Sequence, residues 1–342
     1  MVASRGNNFG FLRLLFASLV VVSHSPQLVD GNDSREILVW LFGSRPLGHF
    51  AVDGFFLVSG YLITQSCQNS RSIGDYLTKR IVRIYPGFIV AFLASTLVVA
   101  PCVGGDLAQV SALASAKKIV LLDSPAVPGT FAGLPSHILN GSMWTIPYEF
   151  RCYLLVIVLC YAATRVNRGV YAFFLFVLTL FYAFRGDLPS LRYGYTVFGI
   201  PADTARLTTV FFVGAAFYVW RDRIVFTHRR AICAAAALIA LMIVPWLAEP
   251  AFAILGGYLI FWYAMACAPN RVSRMMDHAD PSYGLYLYAW PVQGFLVFNI
   301  SGISPWAVTV ITLPVGMALG LLSWHLIEKP ALRHKHLLAG VR

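Results

Sequence analysis

FGFLRLLFASLVVVSH, residues 9–24, decides the fold class. Its only ionisable groups are Arg13 and His24. As a helix it would rise about 24 Å, close to the ~30 Å hydrocarbon core of a bilayer. Nine further apolar runs follow, over approximately 49–66, 80–100, 146–163, 169–184, 206–220, 231–247, 251–267, 283–300 and 306–326. They are separated by charged or Pro/Gly-containing stretches. The longest connection, about 101–145, is rich in Gly and Pro and is expected to fold over one membrane face.

Composition agrees with these runs. A soluble chain of 342 residues would form about two domains. Here 58% of residues are hydrophobic and only 12% charged, with a mean hydropathy of +0.70. A soluble domain carries roughly 25% charged residues, so this chain cannot coat a globule. Disorder, a collagen-like repeat and a disulfide-stapled fold are excluded on the same grounds. The six cysteines show no C-x-x-C spacing, so they read as small buried hydrophobes, and no metal site is expected. The reading is an all-α polytopic membrane protein, one domain over residues 1–342 with about ten transmembrane helices.

The net charge of +11 is explained by topology. With the N-terminus inside, sixteen basic residues face the cytoplasm: Arg5, Arg71, Lys79, Arg80, Arg165, Arg168, Arg221, Arg223, Arg229, Arg230, Arg271, Arg274, Lys329, Arg333, Lys335 and Arg342. Six face outside: Arg35, Arg45, Lys117, Lys118, Arg185 and Arg192. That bias places both termini in the cytoplasm. The basic residues lie between apolar runs rather than on a soluble module, so nucleic acid is not expected as a partner. Residues 1–25 also fit a signal peptide, with Arg5 and Arg13 ahead of Leu14–Val22.

Ionisable groups inside a bilayer are costly and mark function. Arg13, Arg83, Arg151 and Arg206 fall within or near the ends of spans, as do Asp53, Glu149 and Glu328. Arg13 and His24 are eleven residues apart, which on a helix puts them on one face about 16 Å apart. In this topology Arg80 and Arg83 share the inner level of Arg13, while Asp53 and Glu149 share the outer level of His24. Arginines offer forked donors to phosphate. A His beside a carboxylate suits a general base. An enzyme joining a phosphorylated cytoplasmic donor to an outward acceptor would need both levels. The sequence has no G-x-S-x-G, H-E-x-x-H or G-x-x-x-x-G-K-[ST] motif.

Six stretches carry a resemblance: RLLFASLVVVSHS (13–25), VDGFFLVSGYLIT (52–64), RIVRIYP (80–86), NGSMWTIPYEFRCYL (140–154), PSYGLYLYAWPVQ (281–293) and SWHLIEKPAL (323–332). Their set and order resemble the acyltransferase-3 membrane O-acyltransferases. The resemblance implies that the first span is retained, because it carries Arg13 and His24. It implies that His24, with Arg13, is essential to transfer, and that Arg80 and Arg83 meet acyl-CoA. Asp53, Ser59, Gly60 and Tyr61 match the family's second-span motif. Ser142, Trp144 and Glu149 match its S-x-W-x-x-x-x-E pattern, and Tyr283 and Tyr286 its ninth-span motif. Many members carry a His where this chain has Ala289, so no base is expected in that span. The C-terminal esterase-like extension of some members is not expected either.

The function implied is transfer of an acyl group, by resemblance acetyl, from cytoplasmic acyl-CoA to a hydroxyl of a surface polysaccharide or a lipid-linked oligosaccharide precursor. His24 would act as base, held by Glu149 or Asp53. Acyl-CoA would be the donor substrate, with no tightly bound cofactor, and membrane lipid a further partner. The expected location is the cytoplasmic (inner) membrane. A transporter or flippase for a lipid-linked sugar or small anion would also use intramembrane charges, but the sequence lacks the inverted repeats that would favour it.

Overall fold

A computed structural model describes residues 7–162, 167–184 and 199–333. Arg5, Arg165, Arg185, Arg192, Lys335 and Arg342, which entered the topology reading, lie outside the described residues. The described chain is built from helices: α1 Phe9–Asp30, α2 Ile37–Phe42, α3 Leu47–Gln68, α4 Ile73–Cys102, α5 Ala112–Leu121, α6 Ile146–Ala162 and α7 Arg168–Phe184. They continue as α8 Pro201–Val219, α9 His228–Met242, α10 Pro245–Ala266, α11 Arg271–Met276, α12 Ser282–Asn299 and α13 Pro305–Arg333. The run expected over 231–247 straddles the end of α9 and the start of α10, and the other expected runs each overlap a single helix among the described residues. Six helical stretches are long and apolar enough to cross a membrane: α1, α3, α4, Gly141–Tyr161, α10 and α13. The chain thus has the character of an integral membrane protein.

Two boundaries differ from the expected ones for local reasons. α1 runs past His24, through Pro26, until Gly31 (φ 72°) closes it with a bond from its N–H to the Gln27 carbonyl. This extra turn brings Gln27 onto the face of His24. The break expected near Glu249–Pro250 lies instead at Ile243–Val244, because Pro245 opens α10 at its first turn. Pro250 is accommodated inside that helix, which then takes a π-turn at Phe252–Gly256. Glu249 is therefore a buried in-helix carboxylate, bonded by the Tyr182 hydroxyl.

Packing forms two compact units. The first comprises Met1–Ala51, Leu77–Ile146 and Ala268–Arg342. Its centre is α1, α12 and α13. A Cβ on Gly284 would lie 2.6 Å from the Gly320 α-carbon, so these two glycines let α12 and α13 touch backbone to backbone. α1 runs parallel to α12. The Gln293 amide donates to the Val21 carbonyl at 2.8 Å and to Ser25 Oγ at 2.7 Å, and Thr309 Oγ1 donates to Ser25 Oγ at 2.7 Å. The long connection builds a core of its own. Val103, Val127, Phe131 and Leu139 form a small core with Ala100, and Phe298 of α12 packs against it.

The second unit comprises Val52–Tyr76 and Pro147–Cys267. Here the backbones of α3 and α8 meet, Gly60 lying against the Phe211 carbonyl and Gly214 against the Leu57 carbonyl. α7 packs on α8 through rings that include Tyr171, Phe174 and Phe212.

Candidate active site

In the first unit, α1 carries both of its marked residues on one continuous helix, about 16 Å apart along the axis. At its N-terminal end, Arg13 Nη2 donates to Asp280 Oδ2 at 2.9 Å, and Arg83 Nη2 donates to the same oxygen at 2.8 Å. Arg83 Nη1 also reaches Glu328 Oε2 at 3.4 Å, and Ser323 donates to Glu328 Oε1 at 3.1 Å. The Arg83 guanidinium lies 5.9 Å from the Tyr283 ring centre and 5.7 Å from that of Trp324. Tyr283 is fixed in turn by its hydroxyl bond to the Ile84 carbonyl at 3.0 Å. Arg80 lies one turn before Arg83 on α4.

Asp280 is the hub of this cluster. It sits just ahead of α12, and Ser282 bonds its other oxygen through both backbone N–H and hydroxyl. Burial alone would raise its pKa. The Arg13 and Arg83 charges and the Ser282 bonds outweigh that and hold the carboxyl well below the usual range. The sequence reading missed Asp280 because it falls between two spans, where an acid reads as solvated.

At the other end of the same helix, His24 is half-buried. Its Nδ1 lies 3.4 Å from Gln27 Oε1. Its ring meets Trp290 edge to face, with centroids 4.9 Å apart. Trp290 is immobilised on two sides. Its indole N–H donates to the Ile138 carbonyl at 2.8 Å, and a Cβ on Gly141 would lie 2.7 Å from its ring. Only glycine leaves room for the indole there. Asn140, beside it, donates to Ser95 Oγ at 3.1 Å and to the Leu287 carbonyl at 2.9 Å.

The segment Gly141–Thr145 is a 3-10 turn. Thr145 Oγ1 and the Tyr286 hydroxyl are 2.7 Å apart. Ser142 is 1% exposed, and its hydroxyl has no hydrogen-bond partner among the described residues. An unsatisfied buried hydroxyl is uncommon and marks a place where a ligand group can bond. Trp144 is half-buried and Ala289 buried.

In the second unit, the second-span motif forms a packing seam. Asp53 pairs with Arg206 of α8, their side chains 1% and 6% exposed. Ser59 donates to Glu149 Oε1 at 2.5 Å, and the Tyr153 hydroxyl donates to the same oxygen at 2.7 Å. Tyr61 packs against Tyr218 and Phe261, with ring centroids 5.2 and 5.0 Å away. Arg151 lies 5.2 Å from the Tyr148 ring centre. The expected carboxylates are thus both engaged, Asp53 by a cation and Glu149 by two hydroxyls. Among the described residues no group of three or more His, Cys, Asp or Glu could hold a metal.

The first-unit arrangement can do acid–base chemistry at one level and hold a charged group at the other. An amide oxygen only accepts, so bonding to Gln27 puts the His24 proton on Nδ1 and leaves Nε2 as the base.

An O-acetyl transferase of Shigella phage Sf6 is 28% identical, over 95% of this chain and 96% of its own. Nodulation protein 10 of Rhizobium leguminosarum bv. viciae is 26% identical, over 96% and 93%. An uncharacterized Haemophilus influenzae protein is 29% identical over 39% of this chain and 55% of its own. No solved structure matches at a significant level. The sequence model of the acyltransferase-3 family, described as an acyltransferase domain, matches residues 7–325, and this chain belongs to that family.

Proposed function

We propose that this acyltransferase moves an acetyl group from cytoplasmic acyl-CoA to a hydroxyl of a cell-surface glycan or its lipid-linked precursor. The observation that carries the reading is the pair of levels on α1, with Arg13 in an arginine–carboxylate cluster at one and His24 against Trp290 and Gln27 at the other. The name of the phage Sf6 relative supports acetyl as the group transferred.

In this reading the ten expected spans cross the inner membrane and both termini are cytoplasmic. Acyl-CoA phosphates bind near Arg80, Arg83 and Arg13; Asp280 holds Arg13 and Arg83 in place, and Glu328 holds Arg83. The acyl end reaches toward His24. The acceptor oxygen attacks the thioester carbon while His24 Nε2 takes its proton. The tetrahedral intermediate then expels the CoA sulfur, which recovers that proton from His24. Ser142 offers its hydroxyl to the carbonyl oxygen as negative charge develops there. Trp144, Tyr283 and Tyr286 shape the surroundings of the reacting groups. Within the second unit Asp53 serves Arg206, Ser59 and Tyr153 fix Glu149, and Tyr61 braces α3 against Tyr218 and Phe261.

The test is NMR of surface polysaccharide from a deletion strain complemented with wild type or with His24→Ala at matched membrane level. O-acetyl signal restored by wild type alone is expected. Equal signal from both, or none from either, removes this function.

A further inference from the structure

A groove in the second unit, lined by none of the proposed catalytic or acyl-CoA-binding residues, has a volume of about 730 Å³. That lies within the range of small-molecule sites. Its walls are apolar: Phe217, Ile254 and Leu255 face Cys233, Ala234 and Ala237. Two features of the sequence open it. Cys233, Ala234 and Ala237 recur at helical spacing on α9 and leave little side-chain volume there. The π-turn Phe252–Gly256 inserts an extra residue into α10 and turns Ile254 outward, leaving it 60% exposed. Such turns recur at functional sites.

One end of the groove is polar and fixed. Tyr258 donates to the Val225 carbonyl at 3.0 Å and accepts from the Thr227 N–H at 3.1 Å, pinning the connection that leads into α9. Arg229 and Arg230 line this end. Both are exposed, and neither pairs with a carboxylate among the described residues; Arg230 Nη1 meets only the Val225 carbonyl, at 3.1 Å. Arg221 and Arg223 add charge nearby in the chain, and the one acid among them, Asp222, is engaged by Arg168. The result is an apolar slot on a candidate membrane span, closed at one end by unpaired guanidinium groups.

We propose that this groove binds one anionic glycerophospholipid, with an acyl chain along Ala237 and Ile254 and the phosphate between Arg229 and Arg230. Charge complementarity selects the headgroup, and the apolar walls select a long chain over a free phosphate. Basic clusters beside a transmembrane helix recruit anionic lipid in this way.

The test uses the full chain in detergent, titrated with phosphatidylglycerol or with phosphatidylcholine of the same chains and followed by native mass spectrometry. One phosphatidylglycerol is expected to bind roughly tenfold or more tightly than phosphatidylcholine. Arg229→Ala with Arg230→Ala should abolish the preference, and Ala237→Trp should exclude both lipids while the thermal midpoint is kept. Coenzyme A should not displace the lipid. Equal affinities in wild type would reduce the arginines to topology signals and overturn the proposal. So would a preference that survives the double substitution, or displacement by coenzyme A.

Discussion

The imidazole of His24 meets the indole of Trp290 at an interplanar angle of 77°, with ring centroids 4.9 Å apart. Trp290 is itself tied to the Ile138 carbonyl and backed by Gly141. The long connection therefore positions the base on α1 by way of α12. Trp290→Ala should lower turnover by roughly 100-fold, the cost of misplacing a reacting group by about 1 Å. Gly141→Ala, which drives a methyl into the indole, should lose activity in the same direction. Initial rates in membranes of matched protein content check both.

Gln27 sets which nitrogen of His24 is free. Gln27→Leu should lower the rate by at least about tenfold, since it frees the ring to take the wrong tautomer. Gln27→Asn, with a shorter reach, should fall between. An unchanged rate in Gln27→Leu would remove this role.

Ser142 separates chemistry from stability. Its hydroxyl makes no bond in the described structure, so Ser142→Ala should leave the thermal midpoint within a degree or two. Loss of a donor to the developing oxyanion should lower kcat by roughly 100-fold. KM should move little.

Asp280 links the site to acid stability. Its folded pKa is held below the unfolded value near 3.9 by Arg13 and Arg83. The stabilisation is thus fully present above about pH 4 and is lost as pH falls through the folded value. Asp280→Asn should destabilise the protein at pH 7 by about 1–3 kcal/mol, less than a fully buried pair would cost because the arginines are 31% and 24% exposed. It should also flatten stability below pH 4. Thermal unfolding against pH measures both.

Asp53 and Arg206 form the more buried pair. Arg206→Ala should cost about 3–5 kcal/mol by leaving a charge without its partner, while Asp53→Leu with Arg206→Met should recover most of that loss. Denaturation of the two variants and of each single substitution closes the cycle.

The helices were legible because apolar runs of membrane length have few other solutions, and Arg13, His24, Arg83 and Glu328 stood out as charges within or at the ends of them. Chain order alone did not reveal partners. Asp280 looked like a loop acid until folding set it between Arg13 and Arg83. Glu249 was hidden because it fell in the gap between the expected spans 231–247 and 251–267. Asp53 and Arg206 were each noticed, yet 153 residues separate them and nothing in spacing joins them. Gly141 and Trp290, 149 positions apart, show their relation only once the connection has packed. The glycines of the second-span motif region read as markers of a family, and the structure gives Gly60 its physical reason in the Phe211 carbonyl.

The most direct measurement is transfer of radiolabelled acetyl from acetyl-CoA to the glycan fraction by membranes holding wild type or His24→Ala at equal abundance. The account predicts label in the glycan with wild type and at least a 100-fold lower rate with His24→Ala. Equal transfer by the two would contradict it.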